Sequence, residues 1–298
     1  MAKLSLGVAF SGGGLKSFAQ IATLYDLEKN NIDITAIAGT SMGSLIAALV
    51  AHGLSAIEIE TMLLRLEEEF SNSKMLSRPS IKILPFSKDR IDGLIEHHDL
   101  KNFCEKIFEE LNVKYLSDLK LPICINSVKL DSGEMVLFTN DKSYFTTDNF
   151  QSCYFYEKDI EIATAVAASC AFPFVFSTAH IDNERYVDGG CRLNCPVSLF
   201  IRNMVNKVLA LTMVDRQSKE VITRATDVAI HSFNIMSAQL DEYALQEADV
   251  VFNVPIQSNY TFKFGKGNEV IAFSKNHLIL NPIDYNKLMN KPFRFFNF

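Results

Sequence analysis

No stretch of this 298-residue sequence approaches the roughly 20 consecutive apolar residues that a membrane-spanning helix requires. The N-terminal run from Leu4 to Phe10 passes straight into a glycine-rich turn. It lacks the longer apolar segment and small-residue cleavage site of a signal peptide, so a cytoplasmic location is expected. Charge is scarce as well. Charged residues make up 21% of the chain against 48% hydrophobic, which excludes a disordered or linker-type protein. Basic residues number 29 and acidic ones 35; the resulting net charge of −6 argues against nucleic acid as a partner. The cysteines Cys104, Cys124, Cys153, Cys170, Cys191 and Cys195 are scattered through apolar contexts. Only the last two are close, spaced C-x-x-x-C, which matches no common zinc or redox motif. They are expected to be isolated buried thiols in a reducing compartment. With no EF-hand loop either, neither metal nor other cofactor is expected. Internal repeats and low-complexity tracts are also missing.

What remains is a well-cored chain, long enough to bury about 75% of its unfolded surface without a disulfide or metal staple. It is expected to form one domain over residues 1–298. Leu4 to Phe10 reads as a buried strand ended by Ser11-Gly12-Gly13-Gly14, and Lys16 to Lys29 carries a helical period. Ile34 to Ala38 is a second buried strand. Gly39-Thr40-Ser41-Met42-Gly43 then leads into an apolar helix over Ser44 to Ala51. This alternation implies a parallel sheet covered by helices. A helix follows from Ser55 to about Phe70. Residues 71–99 are rich in Ser, Lys and Arg and broken by Pro79 and Pro85, and read either as a cap over a site or as a surface insertion. Leu100 to Leu111 is helical, and Pro122 to Lys129 and Glu134 to Thr139 form a hairpin across Asp131-Ser132-Gly133. An Ala-rich helix spans Ile160 to Ser169, and a short strand, Arg185 to Val187, leads to Asp188-Gly189-Gly190. Lys207 to Val214 is a strand, Thr223 to Glu247 a helix, and Asp249 to Val254 a strand. Residues 256–298 are expected as a C-terminal extension whose aromatic tail, Pro292 to Phe298, packs onto the domain.

Three of these turns carry chemistry. Gly39-x-Ser41-x-Gly43 lies between a buried strand and a helix, as a nucleophile elbow requires. Glycines on both sides let the turn tighten until the Ser41 hydroxyl projects beside a helix N-terminus, where negative charge is favoured. Gly12, Gly13 and Gly14 end the neighbouring strand. A phosphate loop would need Gly directly before Lys16, where Leu15 stands. A dinucleotide fingerprint would need Gly where Ser17 stands. An oxyanion hole asks only for backbone donors beside the nucleophile. A hydroxyl nucleophile also needs a base. None of His52, His97, His98, His180, His231 and His277 lies in a local catalytic motif. Asp188, at a strand end with two glycines after it, is the better candidate.

Taken in order, Gly12 to Lys16, Gly39 to Gly43, Ala168 to Pro173 and Asp188 to Gly190 resemble the blocks of the bacterial patatin-like phospholipase family. The resemblance implies a three-layer α/β/α fold of the α/β class, with a mainly parallel central sheet like that of the cytosolic phospholipase A2 catalytic domain. It implies a serine acyl hydrolase of the lipase, phospholipase A or lysophospholipase type, working through a Ser–Asp dyad without histidine. Ser41 is then the nucleophile and Asp188 the base. Gly12, Gly13 and Gly14 form the oxyanion hole, and Gly39 and Gly43 shape the elbow. The family usually has Gly where this chain has Ser17, a helix-start position that suits Ser. Ser169 and Pro173 are expected to shape the wall near the dyad. Lys16 faces solvent or a carboxylate, or holds an anionic head group. Metal plays no part.

The implied partner is a lipid or other acyl ester substrate, with peripheral contact at a membrane surface. Lys74 to Arg90, which mixes basic and apolar residues, could touch an anionic interface. Two other functions share the constellation: an acyltransferase using the same acyl-serine, and a lipid-binding regulatory module without turnover.

Overall fold

The computed structural model describes residues 4–72, 92–215 and 225–289. The segment Lys74 to Arg90, most of the expected cap over 71–99 and the tail Pro292 to Phe298 lie outside the described residues.

The chain runs through β1 (Leu6–Phe10), α1 (Ile21–Lys29), β2 (Ile34–Gly39), α2 (Met42–His52) and α3 (Ala56–Asn72). It resumes with β3 (Gly93–Ile95), α4 (His97–Glu110), β4 (Ile123–Lys129), β5 (Met135–Thr139), β6 (Cys153–Phe155) and α5 (Ile162–Ser169). Next come β7 (Phe174–Phe176), β8 (Ala179–Ile181), β9 (Glu184–Asp188) and β10 (Lys207–Thr212). The last described elements are α6 (Ala225–Ala244), β11 (Val250–Asn253), α7 (Gly267–Leu280) and α8 (Tyr285–Met289). The main sheet has the order β11-β10-β1-β2-β4-β5-β6, parallel from β11 to β4, with β5 antiparallel to β4. It is the mostly parallel α/β sheet that the alternating elements imply. β3 and β7 form a separate parallel pair.

Strands β1, β2 and β10 are buried throughout most of their length because both faces are covered. The faces differ. Val8, Phe10, Ile37, Leu209 and Leu211 point into one core layer, against α1 to α5 and α7. Ala9, Ala36, Ala38 and Ala210 point into the other, which is filled by Leu193, Leu199, Phe200 and the C-terminal end of α6. Small residues on this second face let an irregular segment approach where the first face admits large side chains against helices.

The structure adds the short strands β3, β6, β7 and β8 to those expected from sequence. The helix expected from Lys16 opens as a 3-10 segment, Gly14–Gln20, before α1 begins. Gln20 Nε2 and the Ser17 hydroxyl both donate to the Ser11 carbonyl, at 3.0 and 3.4 Å, drawing this turn tight against the glycine loop. Residues 256–289 pack into the first core layer. Val270 and Ile271 of α7 are buried there, the Ser274 hydroxyl donates to the Ala19 carbonyl, and Glu67 of α3 accepts the amides of Gly265, Lys266 and Gly267 at the helix start.

Candidate active site

The site is assembled along one edge of β4. β5 pairs with Cys124 to Val128 of β4, and β9 pairs with Ser127 to Lys129. A strand has two edges, so β9 must occupy the edge that β2 occupies further back, at Ile123 to Ile125. β2 travels along this edge and stops with Gly39 opposite Ile125; β9 arrives from the other end and stops with Asp188 opposite Ser127. Two residues of β4, about 7 Å of strand, separate the two stops. The turn that carries Ser41 and the carboxylate of Asp188 are therefore brought face to face.

Ser41 sits at φ 53°, ψ −133°, a conformation costly for a residue with a side chain. Its amide donates to Ser169 Oγ at 2.8 Å, and the Ser169 hydroxyl donates to the Asn126 carbonyl at 2.7 Å. The Ser41 carbonyl accepts the amide and hydroxyl of Ser44 at 2.7 and 2.6 Å. Gly39 and Gly43 leave the turn no slack: a methyl at Gly43 would stand 2.5 Å from the carbonyl oxygens of Phe10 and Ser11. Asn126, fully buried in β4, joins the two halves. Its Oδ1 accepts the Thr40 hydroxyl at 2.7 Å, and its Nδ2 donates to the carbonyls of Leu193 (2.9 Å) and Gly189 (3.2 Å). Sequence reading passed over Asn126, although a lone amide in the apolar run Ile123-Cys124-Ile125-Asn126 is a visible signal.

Asp188 is 2% exposed. Gly190 N–H donates to its Oδ1 at 2.8 Å, and Oδ2 has no hydrogen bond of full geometry. Burial pushes its carboxyl pKa up to about 7, against the opposing pull of the nearby Ser41 hydroxyl and the Gly190 amide. None of the six histidines bonds to either group. His231, the one that borders the cavity, faces Ser258 Oγ at 3.4 Å. His97, half-buried beside His180 and Lys101, is pulled down to about 4, chiefly by desolvation.

The glycine loop lies on the other side of Ser41. Gly12 packs so closely that a methyl there would stand 3.0 Å from Ser41 Cβ and 2.6 Å from Asn194 Oδ1. Its amide donates to the Asn194 carbonyl at 3.1 Å, and that of Leu15 to the Thr261 carbonyl at 3.0 Å. The amides of Gly13 and Gly14 meet no acceptor among the described residues. Of the three donors expected from sequence, two are thus uncommitted. Asn194 is fixed in turn by Asp241 of α6. One carboxylate oxygen accepts Asn194 Nδ2 and the other the Cys195 amide, both at 2.8 Å. Burial raises the Asp241 carboxyl to about 6.

Ser41, Asp188 and the glycine loop border a single cavity of about 450 Å³, a size suited to a small-molecule ligand. One part of its wall is apolar, with Leu45, Leu63, Phe70, Phe103, Val166 and Phe172 among the lining residues, while α6 adds the polar side chains of His231, Asn234 and Glu242. Such a wall suits an aliphatic chain better than a polar substrate. Among the described residues no group of three or more His, Cys, Asp or Glu side chains is placed to hold a metal ion.

Removal of the Ser169 hydroxyl tests the elbow's support. Ser169→Ala is expected to leave the Ser41 amide without its buried acceptor, lowering stability by about 1–3 kcal/mol. It is also expected to reduce kcat more than it raises KM, because the Ser41 turn loosens while the cavity stays intact. Denaturant titration and steady-state kinetics measure the two effects. A variant with wild-type values in both would remove Ser169 from this role.

The family model for patatin-like phospholipases matches residues 8–201. The chain is 25% identical to the uncharacterized protein YqhO of Bacillus subtilis (strain 168) over 217 residues, covering 70% of this chain and 71% of that one. It is 23% identical to the lysophospholipase NTE1 of Mycosarcoma maydis over 137 residues, 46% of this chain and 7% of that one. Among solved structures, VipD from Legionella pneumophila aligns with 93% of this chain and 66% of its own, at 12% identity and a TM-score of 0.47.

Proposed function

Since the chain belongs to the patatin-like phospholipase family and is an acyl ester hydrolase, we propose that it cleaves acyl esters of lipids, as a phospholipase A or lysophospholipase, through a Ser41–Asp188 dyad. The observation that supports this most is the end-to-end arrival of β2 and β9 on β4. It sets a strained serine hydroxyl against a buried carboxylate with a pKa of about 7. That value lies near the working range of a general base, well above the ordinary carboxylate.

In the first half-reaction Asp188 Oδ2 removes the hydroxyl proton as Ser41 Oγ bonds to the ester carbonyl carbon. The carbonyl oxygen becomes an oxyanion facing the uncommitted amides of Gly13 and Gly14. A donor of this kind contributes roughly 3–4 kcal/mol to the transition state in a well-studied hydrolase. Collapse breaks the ester bond, and the leaving alcohol takes the proton from Asp188. Water then gives a proton to the same carboxylate and attacks acyl-Ser41; the Ser41–acyl bond breaks, Ser41 Oγ takes the proton back from Asp188, and the carboxylic acid leaves. The apolar wall from Leu45 to Phe172 would hold the acyl chain throughout.

Two measurements on the same folded protein test the reading. A fluorophosphonate probe is expected to label wild-type protein at Ser41 and to leave Ser41→Ala unlabelled. Incubation with a mixed lipid extract is expected to release fatty acids, identified by mass spectrometry. Folded protein that neither labels nor releases acid would end the proposal.

A further inference from the structure

Helix α6 has three sides with different tasks. Its buried side holds the active site: the Ser237 hydroxyl donates to the Gly190 carbonyl at 3.2 Å, and Asp241 fixes residues 194 and 195. A second side, with His231, Asn234, Ala238 and Glu242, lines the cavity. The third faces outward. Among the described side chains between residues 228 and 244 the exposed positions are Val228, Ser232, Ile235, Met236, Gln239, Leu240 and Tyr243. Their spacing by threes and fours is one continuous helical stripe.

This stripe carries no charged residue, in a chain whose residues are 21% charged. Its five apolar members are 40–67% exposed. The outward face of a helix on a soluble domain is ordinarily its polar one, and a contiguous apolar patch marks a surface that meets something.

We infer that the outward face of α6 is the surface on which the protein rests against a zwitterionic lipid layer. The inference rests on the lipid-hydrolase reading above and adds the place of contact. Continuity favours lipid over another protein. The stripe runs along the rim of the cavity that holds Ser41, and Ile235 and Gln239 belong to both the exposed face and the cavity lining. A lipid layer laid against α6 presents acyl esters directly at that mouth, whereas a protein seated there would obstruct it. Charge selects the kind of layer. Among its described residues the face has no cation to draw anionic head groups, and the chain's net charge of −6 repels them. Contact then depends on insertion of Met236, Leu240 and Tyr243 among head groups and upper acyl carbons.

The test uses the full chain, phosphatidylcholine vesicles and a water-soluble short-chain ester kept below its aggregation threshold. Met236→Glu, Leu240→Glu and their combination change only exposed positions outside the cavity lining. The double variant is expected to lose about tenfold or more in vesicle sedimentation and in hydrolysis of vesicle lipid. Hydrolysis of the soluble ester is expected to stay within about twofold, which also reports that the variant is folded. Tyr243→Ser, a milder change about a turn further on, is expected to move vesicle binding in the same direction. Wild-type protein that does not bind the vesicles would overturn the inference, as would a double variant that binds and hydrolyses them normally. So would variants that dissociate a wild-type dimer without altering vesicle binding, which would assign the face to a second copy. Failure of the catalytic reading looks different: wild-type protein would then fail on the soluble ester, whatever its affinity for vesicles.

Discussion

Asp188→Asn is expected to abolish turnover and, at alkaline pH, to stabilise the fold. The side chains are nearly isosteric. The amide oxygen can still accept from Gly190 N–H, which the Asp188 carboxylate does at 2.8 Å, and the amide nitrogen takes the place of Oδ2 towards Ser41. It cannot take a proton. A loss of about 10⁴-fold or more in kcat is the scale for disabling a base that acts as one unit with its nucleophile.

Stability moves the opposite way. The carboxyl pKa is raised from 3.8 to about 7 on folding, so the folded state binds this proton more tightly than the unfolded chain. The stabilising contribution is complete below pH 3.8 and is lost as pH rises through 7. Above that, wild-type protein carries a buried charge that Asn does not. The advantage of the variant should therefore grow between pH 4 and 7 and level off above it, reaching at most about 4 kcal/mol. The same protonation is expected to make wild-type kcat/KM rise with pH until about 7. Denaturation curves and pH–rate profiles read both effects. A variant that keeps wild-type turnover, or melts lower than wild type at pH 8, would contradict this account of the carboxylate.

Gly43→Ala sets two effects of opposite sign against each other. In an ordinary helix, replacing Gly by Ala adds about 1 kcal/mol of stability. Here the new methyl would lie 2.5 Å from two backbone oxygens, those of Phe10 and Ser11, and neither can move without shifting the end of β1. Overpacking against fixed backbone costs more than helix propensity returns. A net destabilisation of about 2 kcal/mol or more is expected, together with at least about a hundredfold loss of activity as the elbow is displaced. Chemical denaturation at equilibrium measures the first. An unchanged midpoint would show that the turn has room after all.

Both variants act at positions visible in the sequence alone, and the reason is local. β1, β2 and β10 are apolar on both sides because both sides are covered. Gly39 to Gly43 declares a tight turn wherever it occurs between strand and helix. The same holds for Asp188 and the glycines after it. What sequence left unread depends on distant partners. The hairpin between β8 and β9 turns on Asp182 and Asn183, both at positive φ, a two-residue signal with little flanking pattern. Helix α7 has its own apolar period, yet its place in the core is settled by Glu67 and Ala19, far back in the chain. The commitment of the Gly12 amide to Asn194 likewise follows from how α6 positions residues 194 and 195. The six cysteines are free, as expected, and five are buried. Burial pushes the Cys104 thiol up to about 12.

The common edge of β4 has a consequence for how this architecture tolerates change. Ser41 and Asp188, the proposed nucleophile and base, are located by a shared rail, reached from opposite ends, and Ser127 fastens the second arrival by donating to the Val187 carbonyl at 2.8 Å. Within the chain between them, Asn126 of β4 and Ser169 tie the two halves together by hydrogen bonds. Excursions leaving from solvent-facing turns, such as the open tip at Gly133, can grow or be spliced with foreign modules while the rail keeps its spacing.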